Sequence, residues 1–403
     1  MTEDRRQGDE ASVRVLLLGT GMQGEAALFD LARSSAVREV VAADRDIRGL
    51  EALVRERGYG ARVRCQALDA TDGAALGQLV GGGFDVVIDL LPSPFVAAVA
   101  TQAVRHGVHL VNTFYVSPEL LALGPEAEAR GVAILPEFGM DPGIDLVLLG
   151  EAVRGLDEVT DVVSYGAGIP EPEAAGNPIH YKVSWSFAGV LRAYRRGARI
   201  KRDGHMVDIL PVAQFHPDNV HRVEIAGFGT LEAYPNGDAV HFAEMLGLDA
   251  SRLRSTGRYS LRYPGHCRFW NTVAGLGLLD EEPVVLDDGT AVDRIAYLRA
   301  ALEPRLQYGP GERDAAILRN EVTGTRRGRR VRVVQQVRDW GDLESGLTAM
   351  SRLVGFTASI GAQMLASGQI TRRGLLSPTH NVPFTPFLAE LERRGIRVAQ
   401  LEE

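Results

Sequence analysis

The stretch Val13-Arg-Val-Leu-Leu-Leu-Gly19-Thr-Gly21-Met-Gln-Gly24-Glu-Ala-Ala-Leu28, with Asp44 closing the next apolar run, constrains this chain more than any other feature. An apolar run too short for a helix turns through glycines into an amphipathic helix. That geometry gathers unpaired backbone N–H groups and the positive end of a helix dipole at one point, where a pyrophosphate can sit. Gly19 permits the tight turn, Gly21 leaves no side chain between backbone and phosphate, and Gly24 lets helix and strand pack closely. Met22 and Gln23, in the first helical turn, belong to the same site. Glu39-Val-Val-Ala-Ala-Asp44 is the next strand, and Asp44 stands about 20 residues past the last glycine, where a carboxylate meets the adenosine ribose. Arg45 either offsets the repulsion of a 2′-phosphate or stacks on adenine. The implied cofactor is NAD, with NADP possible.

From Val13 to about Pro136 the pattern repeats apolar strand, polar turn, helix, with strands predicted at Val13–Leu18, Glu39–Ala43, Val63–Ala67, Val86–Leu90, Val108–Asn112 and Val132–Leu135. Such alternation makes an α/β fold, a Rossmann-type doubly wound parallel sheet whose ligands bind at the carboxyl ends of the strands. Asp69-Ala70-Thr-Asp72 and Leu90-Leu91-Pro92 stand there and are expected to border the adenine and nicotinamide sides of the cofactor. After Asp145 the texture changes to β-rich segments at Thr160–Ile169, Arg222–Ala226, Ala316–Thr323 and Val331–Val337, with turns such as Pro235-Asn-Gly-Asp238 and Asp287-Asp-Gly289. Leu343 to Gly368 is one long, mostly apolar helix. The expected division is a dinucleotide-binding domain over 12–138, an α+β substrate domain over 139–342, and a C-terminal helix and tail over 343–403.

Composition excludes several function classes. Of 403 residues, 45% are hydrophobic and 24% charged, and no apolar run reaches the roughly 18 residues of a membrane span. The polar opening Met1–Glu10 lacks the apolar core of a signal peptide and is expected to be loosely ordered, which makes a cytoplasmic location the expectation. A net charge of −8 argues against nucleic-acid binding. The densest basic cluster, Arg326-Arg-Gly-Arg-Arg330, sits between two strand-like runs as a hairpin tip. Cys65 and Cys267 are too few for a disulfide framework and are expected as small core residues. His216 and His221 lack one-face spacing and are separated by Pro217, so no metal site is expected. Lys182 and Lys201 are the only lysines in an otherwise arginine-rich chain. A drift that replaces lysine wherever arginine serves spares positions that need an amine able to lose its proton.

Three stretches of the second half concentrate functional groups: Asn177-Pro-Ile-His-Tyr181-Lys182-Val-Ser184-Trp-Ser186, Ala233-Tyr-Pro-Asn236-Gly-Asp238, and Gly257 to Trp270. With Tyr115-Val-Ser-Pro118, Gly139-Met-Asp141-Pro-Gly-Ile-Asp145 and Gly368-Gln-Ile-Thr-Arg-Arg-Gly-Leu-Leu-Ser-Pro378, these blocks make the chain resemble the saccharopine dehydrogenase family over almost its whole length. The resemblance is to the saccharopine reductases and the lysine 6-dehydrogenases. It implies a substrate domain facing the dinucleotide domain across a cleft, a C-terminal segment that packs back on the first domain, and oxidoreduction at a C–N bond of an amino acid; a homodimer is the expected assembly. Tyr115, Tyr181, Ser184, Asn236 and Arg262 are the implied substrate contacts. The reductases in this resemblance carry an arginine just after the Ser-Trp-Ser block and another in the Tyr-Pro-Asn turn, where this chain has Ala188 and Gly237. Saccharopine is then expected to bind poorly, since each lost charged hydrogen bond costs roughly 1.5–3 kcal/mol. The Arg-Tyr-Pro-Gly-His block is closer to the lysine 6-dehydrogenases, so oxidative deamination of that type is the leading expectation, with reductive condensation of an amine and a carbonyl compound as the alternative.

Such chemistry requires a neutral amine and hence a base near the reacting carbon. Lys182, His266 and Asp141 are the candidates. A lysine desolvated beside a nicotinamide would be neutral, a histidine titrates in the useful range unaided, and Asp141 is placed by the resemblance to pair with a substrate ammonium. Each also has a structural reading: an ion pair for Lys182, a hydrogen-bonded core residue for His266, a helix cap for Asp141. A further alternative is a dinucleotide-sensing protein without catalysis.

Overall fold

The computed structural model describes residues 13–403, so the expectations for Met1–Glu10 fall outside it. Along the first part of the chain, strands and helices alternate: β1 (Val13–Leu18), α1 (Met22–Arg33), β2 (Val37–Asp44), α2 (Ile47–Glu56), β3 (Val63–Ala67), α3 (Gly73–Val80), β4 (Val86–Asp89), α4 (Val96–His106), β5 (His109–Asn112), α5 (Pro118–Ala129) and β6 (Ala133–Leu135). The helices start where the side chains permit. Asp46 accepts the Gly49 N–H at the head of α2, Asp72 accepts those of Ala74 and Ala75 at α3, and Ser117 with Pro118 opens α5. All neighbouring strands pair in parallel, in the order β6-β5-β4-β1-β2-β3. One face packs Leu16, Leu18, Val87 and Leu110 against Val99, Val104 and Leu120 of the crossover helices. This is the doubly wound sheet expected from the alternation, and strands β1 and β3 have the predicted bounds.

Helix α6 (Ile144–Arg154) leads into the second unit, which is built on a mixed sheet. Its elements are β7 (Glu158–Pro170), α7 (Phe187–Ala193), β8 (Ala198–Arg202), β9 (His205–Ile209), β10 (His221–Ile225), β11 (Gly229–Pro235), β12 (Gly237–Asp238), α8 (Ala239–Met245), β13 (Ser255–Arg262), α9 (His266–Gly275), β14 (Val284–Val285), β15 (Ala291–Val292), α10 (Arg294–Leu302), β16 (Asp314–Arg326) and β17 (Arg329–Trp340). The main order is β10-β11-β13-β7-β16-β17, with β8, β9 and β12 branching from β13. Arg327 and Gly328 form the turn between β16 and β17, so the basic cluster is an exposed hairpin tip. Aromatic side chains of α7, α9 and β11, among them Phe187, Trp270 and Tyr234, form this unit's main core with Tyr194, which follows α7. Cys267 belongs to it; Cys65, expected in a core, is only half-buried because it lies on edge strand β3.

Helix α11 (Ala349–Ala366) is shorter than the predicted 343–368. Asp342 and Leu347 bridge as a turn, and the carboxylate of Asp314 accepts the N–H groups of Ala349 (2.7 Å) and Met350 (3.1 Å), fixing the start. From Ser351 the chain belongs to the first unit again. Gly355 lies so close to α1 that a Cβ there would stand 2.7 Å from the Ala27 nitrogen. Strand β18 (Gly374–Leu375) then adds to the edge of the first sheet beside β6, followed by α12 (Pro378–Asn381) and α13 (Phe384–Arg393). Arg394 ends this return with a two-pronged ion pair to Asp30 of α1, at 2.7 and 2.9 Å, to which Ser359 and Gln363 of α11 also donate. The tail expected to stay on the first domain does not do so throughout. Residues 395–403 belong to the second unit, where β19 (Val398–Glu402) pairs antiparallel with β17, because that edge strand has free backbone groups to offer.

Candidate active site

In the first unit the three glycines differ in what a side chain would meet. A Cβ on Gly19, whose φ is +85°, would stand 2.8 Å from the carbonyl oxygen of Leu90, and one on Gly24 would overlap the carbonyl oxygen of Gly19. Gly21 has nothing within 4 Å. Open space therefore lies above the one glycine at the N-terminus of α1, and the two glycines beside it are fixed by contact between strand, turn and helix. Such a cradle could hold a pyrophosphate. Met22 is exposed and Gln23 half-buried beside it.

Asp44 is tied to the same turn. One oxygen accepts the N–H (2.7 Å) and hydroxyl (2.9 Å) of Thr20, and the other accepts the N–H of Asp46 (3.0 Å). Burial opposes its charge, but these bonds outweigh it and hold its pKa below the usual value. A carboxylate has about four acceptor sites, so Asp44 retains room for a ribose hydroxyl. Arg45 is exposed. Asp69 spends its carboxylate on the N–H and hydroxyl of Thr71 within its own turn, with Ala70 between them. Leu91 packs on the sheet core and Pro92 is exposed.

Beside Asn112, which the strand pattern places at this sheet edge, Asp89 escaped the sequence reading. Asp89 and Asn112 end β4 and β5 side by side in register. Each accepts the N–H two residues on, while the second carboxylate oxygen of Asp89 and the amide nitrogen of Asn112 are buried without a hydrogen-bond partner. Burial pushes the Asp89 pKa up to about 7. A polar residue closing an apolar strand was the available signal. Past β6, the Gly139–Gly143 loop folds back on itself, with the Gly139 N–H donating to Pro142 and that of Ile144 to Gly139. It presents Asp141, half-buried, while Asp145 is fully buried, accepts the Gly143 N–H at 2.7 Å and is pushed up to about 7 by burial. Tyr115 is 47% exposed.

In the second unit, strand alternation brings Ser164, Gly166 and Gly168 of β7 onto one face with Arg258, Ser260 and Arg262 of β13 and Glu232 and Tyr234 of β11. Asn236 follows β11 and donates to the Ser260 hydroxyl at 3.2 Å. The loop bearing the Asn-Pro-x-x-Tyr-Lys block is organised by Asn177, whose side chain accepts the N–H groups of Ile179 and Tyr181 and donates to the Tyr181 carbonyl. This loop delivers Tyr181 and Ser184, both fully buried. The Ser184 hydroxyl oxygen would lie 3.1 Å from a Cβ on Gly168. The hydroxyls of Ser164, Tyr181, Ser184 and Tyr308 are buried without a hydrogen-bond partner, as is the Arg262 Nε. Such a concentration of unpaired polar atoms is unusual in a folded interior and is expected where a ligand supplies the missing partners.

The base candidates separate here. Lys182 forms an ion pair with Glu312, 130 residues away, and its amine lies 5.6 Å from the centre of the Tyr308 ring. No local pattern could have announced Glu312. His266 is fully enclosed, with Nδ1 at 3.1 Å from the Ile179 carbonyl oxygen and Nε2 at 2.8 Å from the Tyr194 hydroxyl. Burial, helped by Arg262, drives its pKa well below the usual value, so it is a neutral histidine with both nitrogens engaged, the geometry of a structural residue rather than of a base. Among the described residues, no group of three or more His, Cys, Asp or Glu is arranged to hold a metal, and no helix is long and apolar enough to cross a membrane.

A dinucleotide cradle on one unit and a polar, ligand-hungry sheet face on the other define a pyridine-nucleotide-dependent oxidoreductase. Comparison with known proteins narrows the class. Residues 15–135 match the saccharopine dehydrogenase NADP binding domain and residues 139–396 the saccharopine dehydrogenase C-terminal domain. The chain belongs to the saccharopine dehydrogenase family. It is 26% identical over 458 residues to a saccharopine dehydrogenase (NADP(+), L-glutamate-forming) of Schizosaccharomyces pombe, covering 96% of this chain and 98% of that one. The protein of the same name from Pyricularia oryzae is 28% identical over 96% of this chain and 98% of its own. The apo saccharopine dehydrogenase (L-Glu forming) structure from Saccharomyces cerevisiae matches with a TM-score of 0.85 and 25% identity, over 97% of this chain and all of that one. The chain is thus an NAD(P)-dependent enzyme acting on the C–N bond of an amino acid.

Proposed function

We propose that this enzyme interconverts a secondary amine with a primary amine and a carbonyl compound: the secondary amine, water and the oxidised dinucleotide give the two products, the reduced dinucleotide and a proton. What carries this reading is end-to-end similarity, in both domains and in the fold, to enzymes named for saccharopine chemistry. It favours secondary-amine chemistry over lysine 6-dehydrogenase-type deamination. Ala188 and Gly237, small and uncharged, support a substrate with fewer carboxylates than saccharopine.

A bound nicotinamide dinucleotide takes or gives the hydride. The protein's share is to hold the substrate nitrogen, exclude water and move a proton. In this reading the Lys182 ammonium passes its proton to the Glu312 carboxylate and the freed amine takes one from the substrate nitrogen, while Tyr181, Ser184 and Asn236 orient the substrate; Asp141 and Tyr115 are the first unit's own candidate contacts. The Asp44 carboxylate favours NAD over NADP, because a 2′-phosphate would meet its negative charge. A cytoplasmic homodimer belongs to the same reading, and light scattering on the purified chain checks its oligomeric half.

Reduction of NAD+ and NADP+ by saccharopine, smaller secondary amines, lysine and ornithine tests the reaction. Reduction by primary diamino acids alone would replace it with deamination. Lys182→Arg keeps a cation opposite Glu312 but cannot give up a proton, so turnover should fall by about 10²–10⁴ while cofactor affinity and thermal stability stay put. Turnover within about threefold of wild type would remove Lys182 from the chemistry.

A further inference from the structure

Arg262 ends β13 as a buried guanidinium, 5% exposed. It donates to the Leu261 carbonyl at 2.8 Å and lies 5.1 Å from the ring centre of Tyr181 and 5.7 Å from that of Tyr234. Two aromatic faces attract a cation but carry no neutralising charge. Among the described residues no carboxylate forms an ion pair with Arg262. The acid opposite it in register, Glu232, is committed elsewhere: its two oxygens accept the N–H groups of Gly265 (3.1 Å) and Cys267 (3.0 Å) at the start of α9. The Arg262 Nε and the Tyr181 hydroxyl are buried without a hydrogen-bond partner, as is the Trp270 indole nitrogen in the aromatic core that Tyr181 joins. Each is a hydrogen-bond donor. Tyr194, another phenol of this cluster, already bonds His266.

A buried, permanently charged guanidinium without a counter-ion is costly, and unsatisfied donors beside it add to that cost. One ligand chemistry removes both: a planar anion with two acceptor oxygens, the natural partner of the guanidinium fork. We propose that Arg262 and the Tyr181 hydroxyl form a carboxylate pocket in the second unit, anchoring one carboxylate of the substrate. The pocket deepens, and rests on, the reading that this unit holds an amino-acid substrate. With Ala188 and Gly237 uncharged, it makes Arg262 the cation that selects for an amino acid over a simple amine.

The test is thermal unfolding of the purified chain in glutarate or L-glutamate against sodium chloride of equal ionic strength. At carboxylate well above its dissociation constant the wild type should unfold about 2–5 °C higher than in chloride. Arg262→Met, which replaces a buried charge with an apolar chain of similar length, should lose that rise, and Tyr181→Phe, which deletes one donor, should lose part of it. No rise in the wild type, or an undiminished rise in Arg262→Met, overturns the pocket. Should Arg262→Met not fold, an unchanged rise in Tyr181→Phe overturns it. Cofactor reduction by amines is followed separately. Turnover without any carboxylate-induced rise removes the pocket and leaves the proposed reaction standing, and an Arg262-dependent rise without turnover of any amine does the reverse.

Discussion

The same methyl group added at two glycines three residues apart should produce opposite results. At Gly24 a Cβ would overlap the Gly19 carbonyl oxygen, inside the 3.0 Å limit that real Cβ atoms respect, and the atom it meets is backbone, so helix α1 must move from its turn. Overpacking of that kind costs about 1–3 kcal/mol, and at roughly 2–4 °C per kcal/mol Gly24→Ala should lower the unfolding midpoint by several degrees even without cofactor. At Gly21 the backbone (φ −63°, ψ −169°) suits any residue and a Cβ meets nothing within 4 Å, so Gly21→Ala costs at most about 1 kcal/mol as a poorer N-cap. That methyl occupies the space assigned to the pyrophosphate. Separating the phosphate from its N–H donors forfeits roughly 1.5–3 kcal/mol per charged hydrogen bond, so affinity should fall at least about tenfold. Calorimetric titration with reduced and oxidised dinucleotides, beside thermal melts of the ligand-free variants, reads both. Gly21→Ala binding the dinucleotide like wild type would refute the placement of the pyrophosphate.

Three further outcomes follow from the structure. Wild-type kcat/KM should be higher with NAD+ than with NADP+, and Asp44→Ser should narrow the gap; a tenfold preference for NADP+ in the wild type would overturn the role of Asp44 (ten-fold being about 1.4 kcal/mol). Asp89 has a folded-state pKa of about 7 against an ordinary 3.8, so the folded chain holds a proton that the unfolded chain releases: its contribution to stability is complete below about pH 4 and is lost as pH rises to about 7. From pH 5.5 to 8 this amounts to about 2 kcal/mol, and Asp89→Asn should flatten the melting profile in that window; an unchanged slope counts against the buried charge. Arg394→Met leaves Asp30 buried with only its neutral donors, and urea unfolding should show a loss of roughly 3 kcal/mol, partly restored by adding Asp30→Asn, whereas a loss under about 1 kcal/mol would mean the clamp is ornamental to stability.

The first unit was legible because its strands are buried on both faces: Val13–Leu18 and Val86–Asp89 are nearly unbroken apolar runs that no other residue pattern imitates. In the second unit β13 went unread. Its alternate positions Arg258, Ser260 and Arg262 are polar because they line the candidate site, and that chemistry erases the apolar alternation that marks a strand. Within the site, glycine roles and Asp44 follow from local spacing. Glu312 beside Lys182 and the enclosure of His266 depend on contacts 130 and 87 residues apart, which no local pattern encodes.

The final nine residues carry a practical consequence for handling the protein. Strand β19 lies along β17, pairing Val333–Val337 with Val398–Glu402, and the backbone of Arg332 exchanges hydrogen bonds in both directions with Glu403. Clipping at Gly395 would strip this cover and leave one side of a twelve-residue strand with its N–H and C=O groups bare, a template on which another molecule's strand can grow. Proteolytic trimming or a bulky fusion placed there should therefore show first as loss of solubility, well before any loss of the dinucleotide cradle.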